Sequence, residues 1–226
     1  MEHHGRSGSK LRDIILGGQD GLVNVLGVIL AVASAMNDAR IVIIAGLAAT
    51  FAESISMAAV AYTSSKAEKD FYKSELEREK YEMKHMPGTE RREVRDIYHR
   101  KGFRGKLLND IVKKITSSKK LWLDVMMKEE LNLQGGSSSP SKGALIVGFS
   151  ALAGSVIPLV AFFLVPVQQA VLISLAVSTA TLFITGAIKA RITVGNWIRS
   201  GIEMAAIGMA AALVGYALGA ALGVVV

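Results

Sequence analysis

The chain contains no cysteine, which excludes disulfides, thiolate metal ligands and thiol redox chemistry. It has only four prolines, and neither Pro nor Gly falls between Met57 and Met86, so nothing in that stretch interrupts a helix. Aromatic residues make up 6% of the chain. They form no cluster interleaved with bases of the kind that grips a single nucleic-acid strand. The net charge of +7 therefore does not argue for a nucleic-acid partner. No cleavable signal peptide is evident, because the first apolar run is too long and holds Asp20. No internal repeat is evident either.

What is present comes in two phases. Of the 226 residues 51% are hydrophobic, yet 20% are charged. A polar insert at about 64–133 accounts for most of the charge: 13 of the 19 acidic residues and 18 of the 26 Lys and Arg lie between Lys66 and Glu130. Around it run five apolar stretches, at 14–36, 41–62, 144–166, 170–188 and 202–226, each near the roughly 20 residues of a spanning helix. The expected fold is all-α: a polytopic membrane protein with five transmembrane helices and a helical insert between the second and third. The expected organisation is 1–63 for the amino-terminal tail and two spans, 64–133 for the insert, 134–142 for a Gly/Ser-rich linker, and 143–226 for three further spans.

Lys and Arg set the expected orientation. The amino terminus, the insert and the loop with Lys189, Arg191 and Arg199 are basic, while the turn at 36–40 has only Arg40 and that at 165–169 has none. Five spans put the basic segments together on the cytosolic side and the carboxyl terminus on the other. The fifth span carries Gly208, Gly215, Gly219 and Gly223. Small residues four apart let helices approach closely, either within the chain or at a dimer seam.

The first part of the insert continues the second span as one helix and would project roughly 35 Å at about 1.5 Å per residue. On a helical wheel Glu68, Glu75, Glu79, Glu82 and Met86 fall within an arc of about 60°. Lys66, Lys69, Lys73, Lys80 and Lys84 occupy the opposite arc. Like charges at that spacing repel, so the acidic face calls for a cation or a basic partner. Pro87-Gly88 ends the helix. Thr89 is a candidate cap for a second helix at 90–101, Leu107, Leu108, Ile111, Val112 and Ile115 mark a third, and 122–133 reads as a fourth. Glu90 and Glu93 join Glu75, Glu79 and Glu82, and Met126, Met127 and Glu130 share one side of the last helix. Three helices thus offer carboxylates and one adds soft sulfur, a donor set for polynuclear divalent metal. The plainer alternative is a solvated charged face with Met126 and Met127 in a core. His3-His4 near the terminus reads as incidental.

Asp20 and Glu53 lie inside apolar runs, where an ionisable group is costly and marks a functional candidate. Asp20 can alternatively be hydrated near an interface. Met57, one turn after Glu53, adds a thioether on the same side, which suits a transition metal; alone it reads equally as packing. Glu82-Met83-Lys84-His85 matches the Glu-x-x-His element of di-iron bundles, a short and weak signal.

Asp20-Gly21-Leu22, Ile55-Ser56-Met57, Ser65-Lys66-Ala67-Glu68, Trp122-Leu123-Asp124 and Met126-Met127-Lys128-Glu129-Glu130-Leu131, in this order and spacing, resemble the vacuolar iron transporter family from about residue 14 to the end. The resemblance implies five spans with a cytosolic metal-binding domain after the second, assembled as a homodimer. It implies export of ferrous iron, often also manganese, from the cytosol in exchange for protons. The family's insert ligands are matched by Glu79, Glu82, Glu90, Glu93, Met126, Met127 and Glu130, and its intramembrane Asp and Met by Asp20 and Met57. Two positions depart: Ala49 stands where many members carry a glutamate, with Glu53 one turn later, and Val23-Asn24-Val25 replaces a frequent Thr-Val-Pro. The expectation is a proton-coupled antiporter, not an enzyme, without a prosthetic group, whose partners are Fe2+ or Mn2+ as substrate, protons and the bilayer. Its membrane would be vacuolar in a eukaryote and the cell membrane in a prokaryote. The rival readings are a membrane-bound di-iron oxidase using Glu82 and His85, and a metal sensor that does not transport.

Overall fold

A computed structural model describes residues 4–133, 139–193 and 195–223. Residues 134–138 of the expected linker, His3, and the last three residues of the fifth apolar run lie outside the described residues. Among the described residues all regular structure is helical: α1 His4–Ala35, α2 Ala39–His85, α3 Pro87–Arg100, α4 Gly105–Thr116, α5 Lys119–Val125 continuing into a π-helical turn Met126–Glu130, α6 Pro140–Leu164, α7 Val167–Ile192 and α8 Trp197–Gly223. The chain divides into two compact units, Met1–Thr63 with Ser138–Val226, and Ser64–Ser137.

The first unit holds five helices long and apolar enough to cross a membrane: Lys10–Ala35, the apolar part of Ala39–His85, Pro140–Leu164, Val167–Ile192 and Trp197–Leu222. This is a multi-pass α-helical membrane protein. Helix α1 begins ten residues before the first apolar run, because Lys10, Leu11 and Arg12 are good helix formers and the polar segment does not break the helix. Pro166 caps α7, so that helix starts three residues before the expected run.

Glycines bring α1 against two neighbours. A Cβ at Gly17 would land on the Val147 carbonyl of α6, one at Gly21 on the Ala151 carbonyl, and one at Gly154 on the backbone of Gly18. On the α8 side, a Cβ at Gly215 would meet Gly27 and one at Gly219 would meet Ala31. Gly208 faces Leu182 and Val23, so these three glycines of the fifth span serve packing within the chain. Between these seams Val25, Leu26, Ile29 and Leu30 of α1, Val42 of α2 and Leu159 and Phe162 of α6 form one buried core. The run Asp20-Gly21-Leu22 therefore has three separate tasks. Gly21 lets α6 approach, Leu22 packs with Leu182 and Ala205, and Asp20 is left exposed on the surface of this chain.

The second unit packs the Ser64–His85 portion of α2 with α3, α4 and α5. Pro87 occupies the first turn of α3 and Met86 its cap position, so the expected Thr89 cap is displaced; Pro fits a first turn, where the missing N–H costs nothing. The Thr89 hydroxyl instead accepts from Arg92 Nη2 at 3.3 Å. Gly102 and Gly105, with φ of +99° and +57°, form the next turn in a region that favours glycine. Helix α5 starts at Lys119, three residues before the expected 122, because the Ser118 hydroxyl caps it by accepting from the Leu121 N–H. Val94, Ile115, Trp122, Val125 and Met126 form the core.

Candidate metal centre

Three segments of the second unit bring carboxyls together. Helix α2 supplies Glu79 and Glu82, α3 supplies Glu90 and Glu93, and the π-helical turn supplies Glu130. A π-turn closes with i to i+5 hydrogen bonds and is common at functional sites; here the Leu131 N–H donates to the Met126 carbonyl at 3.2 Å. Glu79 and Glu90 are almost sealed, 1% and 3% exposed, and the Oε2 atom of each has no hydrogen-bond partner. A buried carboxylate without a partner is costly, and its environment favours whatever restores the lost interaction.

Electrostatics agrees with that geometry. Burial, then the charges of Glu130, Glu82 and Glu93, pushes Glu79 up to about 7 against a relieving Arg78. Burial, then Glu93, Glu79, Glu130 and Glu82, pushes Glu90 up to about 8. Glu130 is raised by partial burial and by Glu93 and Glu82, with Arg78 and Arg100 opposing. Each of these shifts favours the protonated form. A divalent cation would compensate the same crowding and supply the partner that the two orphaned oxygens lack, so the residues fit a metal. Among the described residues no three Asp, Glu or His side chains yet converge on one point. Carboxylates repel at close range, so full convergence requires positive charge between them.

Other expected donors fall differently. Met126 is fully buried in the core of the unit, and Met127 is 2% exposed; both sulfurs are shielded from solvent, and Met126 also has a structural role. Glu75 is turned to Arg78, whose Nη1 lies 3.1 Å from its Oε2. The same guanidinium reaches Glu82 at 3.3 Å, and Lys80 pairs with Glu77 at 2.7 Å. The separation of charge along α2 is therefore less complete than the wheel suggested, because Arg78 edges the acidic arc and Glu77 lies among the lysines. His85 stacks on Tyr81 with ring centroids 4.0 Å apart, and its Nδ1 lies 2.8 Å from the Tyr81 carbonyl. It is engaged locally on an exposed surface, and the di-iron reading loses its histidine.

In the membrane unit the Glu53 carboxyl of α2 faces the Asp20 carboxyl of α1. Its Oε2 accepts from Asn24 Nδ2 at 2.6 Å. Met57 lies one turn beyond Glu53 and is half-buried, as is Glu53, whereas Asp20 and Asn24 are exposed on this chain. The sequence reading passed over Asn24. The available signal was its spacing of four from Asp20, which puts both on one side of α1.

These observations define a helical membrane protein with paired carboxyls inside its spans and a carboxyl-crowded helical insert between the second and third. Residues 11–220 match the VIT family model. The chain is 32% identical to vacuolar iron transporter 1 of Tulipa gesneriana over 96% of its own length and 89% of that protein's. It is 32% identical to vacuolar iron transporter 1 of Arabidopsis thaliana over 96% and 88%, and 33% identical to the vacuolar iron transporter of Toxoplasma gondii over 99% and 78%. The chain belongs to the VIT family, a family of transporters and not of enzymes.

Proposed function

We propose that this protein transports divalent transition metal out of the cytosol, ferrous iron first and manganese second, in exchange for protons. The observation that carries the reading is the pair of buried, unpartnered carboxyl oxygens of Glu79 and Glu90 among Glu82, Glu93 and Glu130. The insert, on the cytosolic side with the amino terminus, captures metal on these five carboxylates, with sulfur from Met126 and Met127. Neutralising the crowded charge favours a closed arrangement of the insert helices, a shift of population driven by binding. Metal then passes to Asp20, Glu53 and Met57 in the membrane.

Carboxylates suit the exchange because one oxygen binds either a proton or a metal, so protonation from the far side releases the metal. The exposure of Asp20 and Asn24 on a spanning helix supports a homodimer, because a charged face toward lipid is costly and a second copy would cover it. The membrane is a vacuolar one in a eukaryote and the cell membrane in a prokaryote.

The test is ferrous iron flux into sealed proteoliposomes containing the purified protein, with and without an acidic lumen. Uptake that rises with lumenal acidity is expected. Saturable binding without uptake under either condition would leave a sensor, and the transport reading would fall.

A further inference from the structure

Among the described residues, the bond from Asn24 to Glu53 is the one side chain–side chain hydrogen bond that joins two spans. Polar groups inside a membrane need partners, so the bond has a plain structural use as a tie between α1 and α2. Three features give it a second one. Asn24 lies one helical turn from Asp20, and Glu53 lies one turn from Met57, so two pairs of donors face each other across α1 and α2. The amide donates to one oxygen of Glu53 only, at 2.6 Å, which fixes the carboxyl while its other oxygen remains free beside Asp20. An amide that gives its N–H₂ to Glu53 also keeps its carbonyl oxygen available, a neutral hard donor.

We infer that Asn24 is a positioning residue that sets the metal preference of the membrane site, by locking Glu53 against Asp20 and adding an amide oxygen to the donor set. This rests on the transport reading above. With Asp20, Glu53 and Asn24 in place the site offers three oxygen donors against the single sulfur of Met57. Oxygen-rich sites suit manganese, and a larger share of soft sulfur favours the later, softer metals. Asn24 therefore tilts the site toward Mn2+ relative to Fe2+. Its removal frees Glu53 to rotate away and leaves Met57 with more weight.

The experiment is flux of Mn2+ and of Fe2+ into proteoliposomes carrying the wild type, Asn24→Ala, Glu53→Ala and the double variant. Partners that orient metal ligands change affinity or activity by about 10–100-fold. The expected result is a fall of about tenfold in the Mn2+ to Fe2+ ratio of kcat/KM for Asn24→Ala, with the double variant no worse than Glu53→Ala alone. Non-additivity of that kind separates positioning from independent packing.

Asn24→Gln serves as the rescue variant, since its longer amide keeps the donor and the oxygen; partial return of the ratio is expected. Equal slowing of both metals, an unchanged ratio, or additive effects in the double variant would overturn the inference and leave the transport reading intact. Absence of flux by the wild type would overturn both.

Discussion

The insert and the spans both use carboxyls, but they hold them in opposite ways. In the insert, five glutamates from three segments crowd one another, and the two most buried have oxygens with no partner. In the spans, Glu53 has a neutral donor at 2.6 Å and meets one other carboxyl, Asp20. The crowded group is strained and gains from any divalent cation, which suits capture. The tied group is ordered in advance and contains fewer donors, which suits a site that must bind and then let go. Affinity and passage are assigned to different parts of one chain.

The comparison breaks first at Asp20. Asp20→Asn is expected to lower metal flux in proteoliposomes by at least about 100-fold, while metal bound per chain in detergent stays close to the wild-type value, because the insert is untouched; ligand loss of this kind sets the scale. Flux within twofold of wild type would remove Asp20 from the pathway.

The reciprocal change is Glu79→Gln with Glu90→Gln. Metal affinity measured by titration calorimetry should fall about 10–100-fold. Metal-free thermal stability should hold or rise, because two crowded acids become neutral amides of the same shape. A loss of affinity accompanied by unfolding would show that these residues shape the insert and would leave capture unassigned.

A pH series sharpens the contrast further. Glu79 and Glu90 stand at about 7 and about 8, above the ordinary carboxyl value of 4.5. A raised carboxyl pKa means that the fold favours the protonated form. The stabilising contribution is complete below the ordinary value and is lost as pH climbs through 7 and then 8. The melting temperature of the metal-free protein should therefore decline by a few degrees between pH 6 and 9, and saturating Mn2+ should flatten the slope. A melting temperature that rises over that range would contradict the buried-acid account.

The smallest effect is expected at His85, which is stacked on Tyr81 and tied locally. His85→Ala should change metal affinity less than about twofold, on the scale of surface substitutions. A tenfold loss would restore the di-iron alternative.

Much of this molecule is legible in the sequence, and for identifiable reasons. Apolar runs of membrane length with charge confined to one insert define the helices, since few other structures satisfy backbone groups in lipid. Helical spacing places Glu79 and Glu82 on one side of α2. It does not show which residues of α3 meet them, because that depends on the turn at Met86-Pro87 and on Val94 and Ile97 packing inward. The role of Arg78 was hidden because a long side chain reaches across the helix surface from outside the acidic arc. Asn24 was hidden because its partner is 29 residues away, and no local pattern links the two.

The π-helical turn at Met126–Glu130 also has a consequence for how this insert tolerates change in its gene. Such a turn carries one more residue than an α-helical turn spanning the same rise. Loss of a single codon there, Lys128 for example, would let the backbone relax into regular α-helix without exposing Trp122 or Val125, which lie before it. Everything after the deletion would swing by about 100°, carrying the Glu130 carboxyl away from Glu93 and Glu82. An in-frame deletion of three nucleotides would thus be nearly silent for the fold and severe for the donor set. The same deletion is therefore a compact genetic probe of whether Glu130 belongs with the other four glutamates.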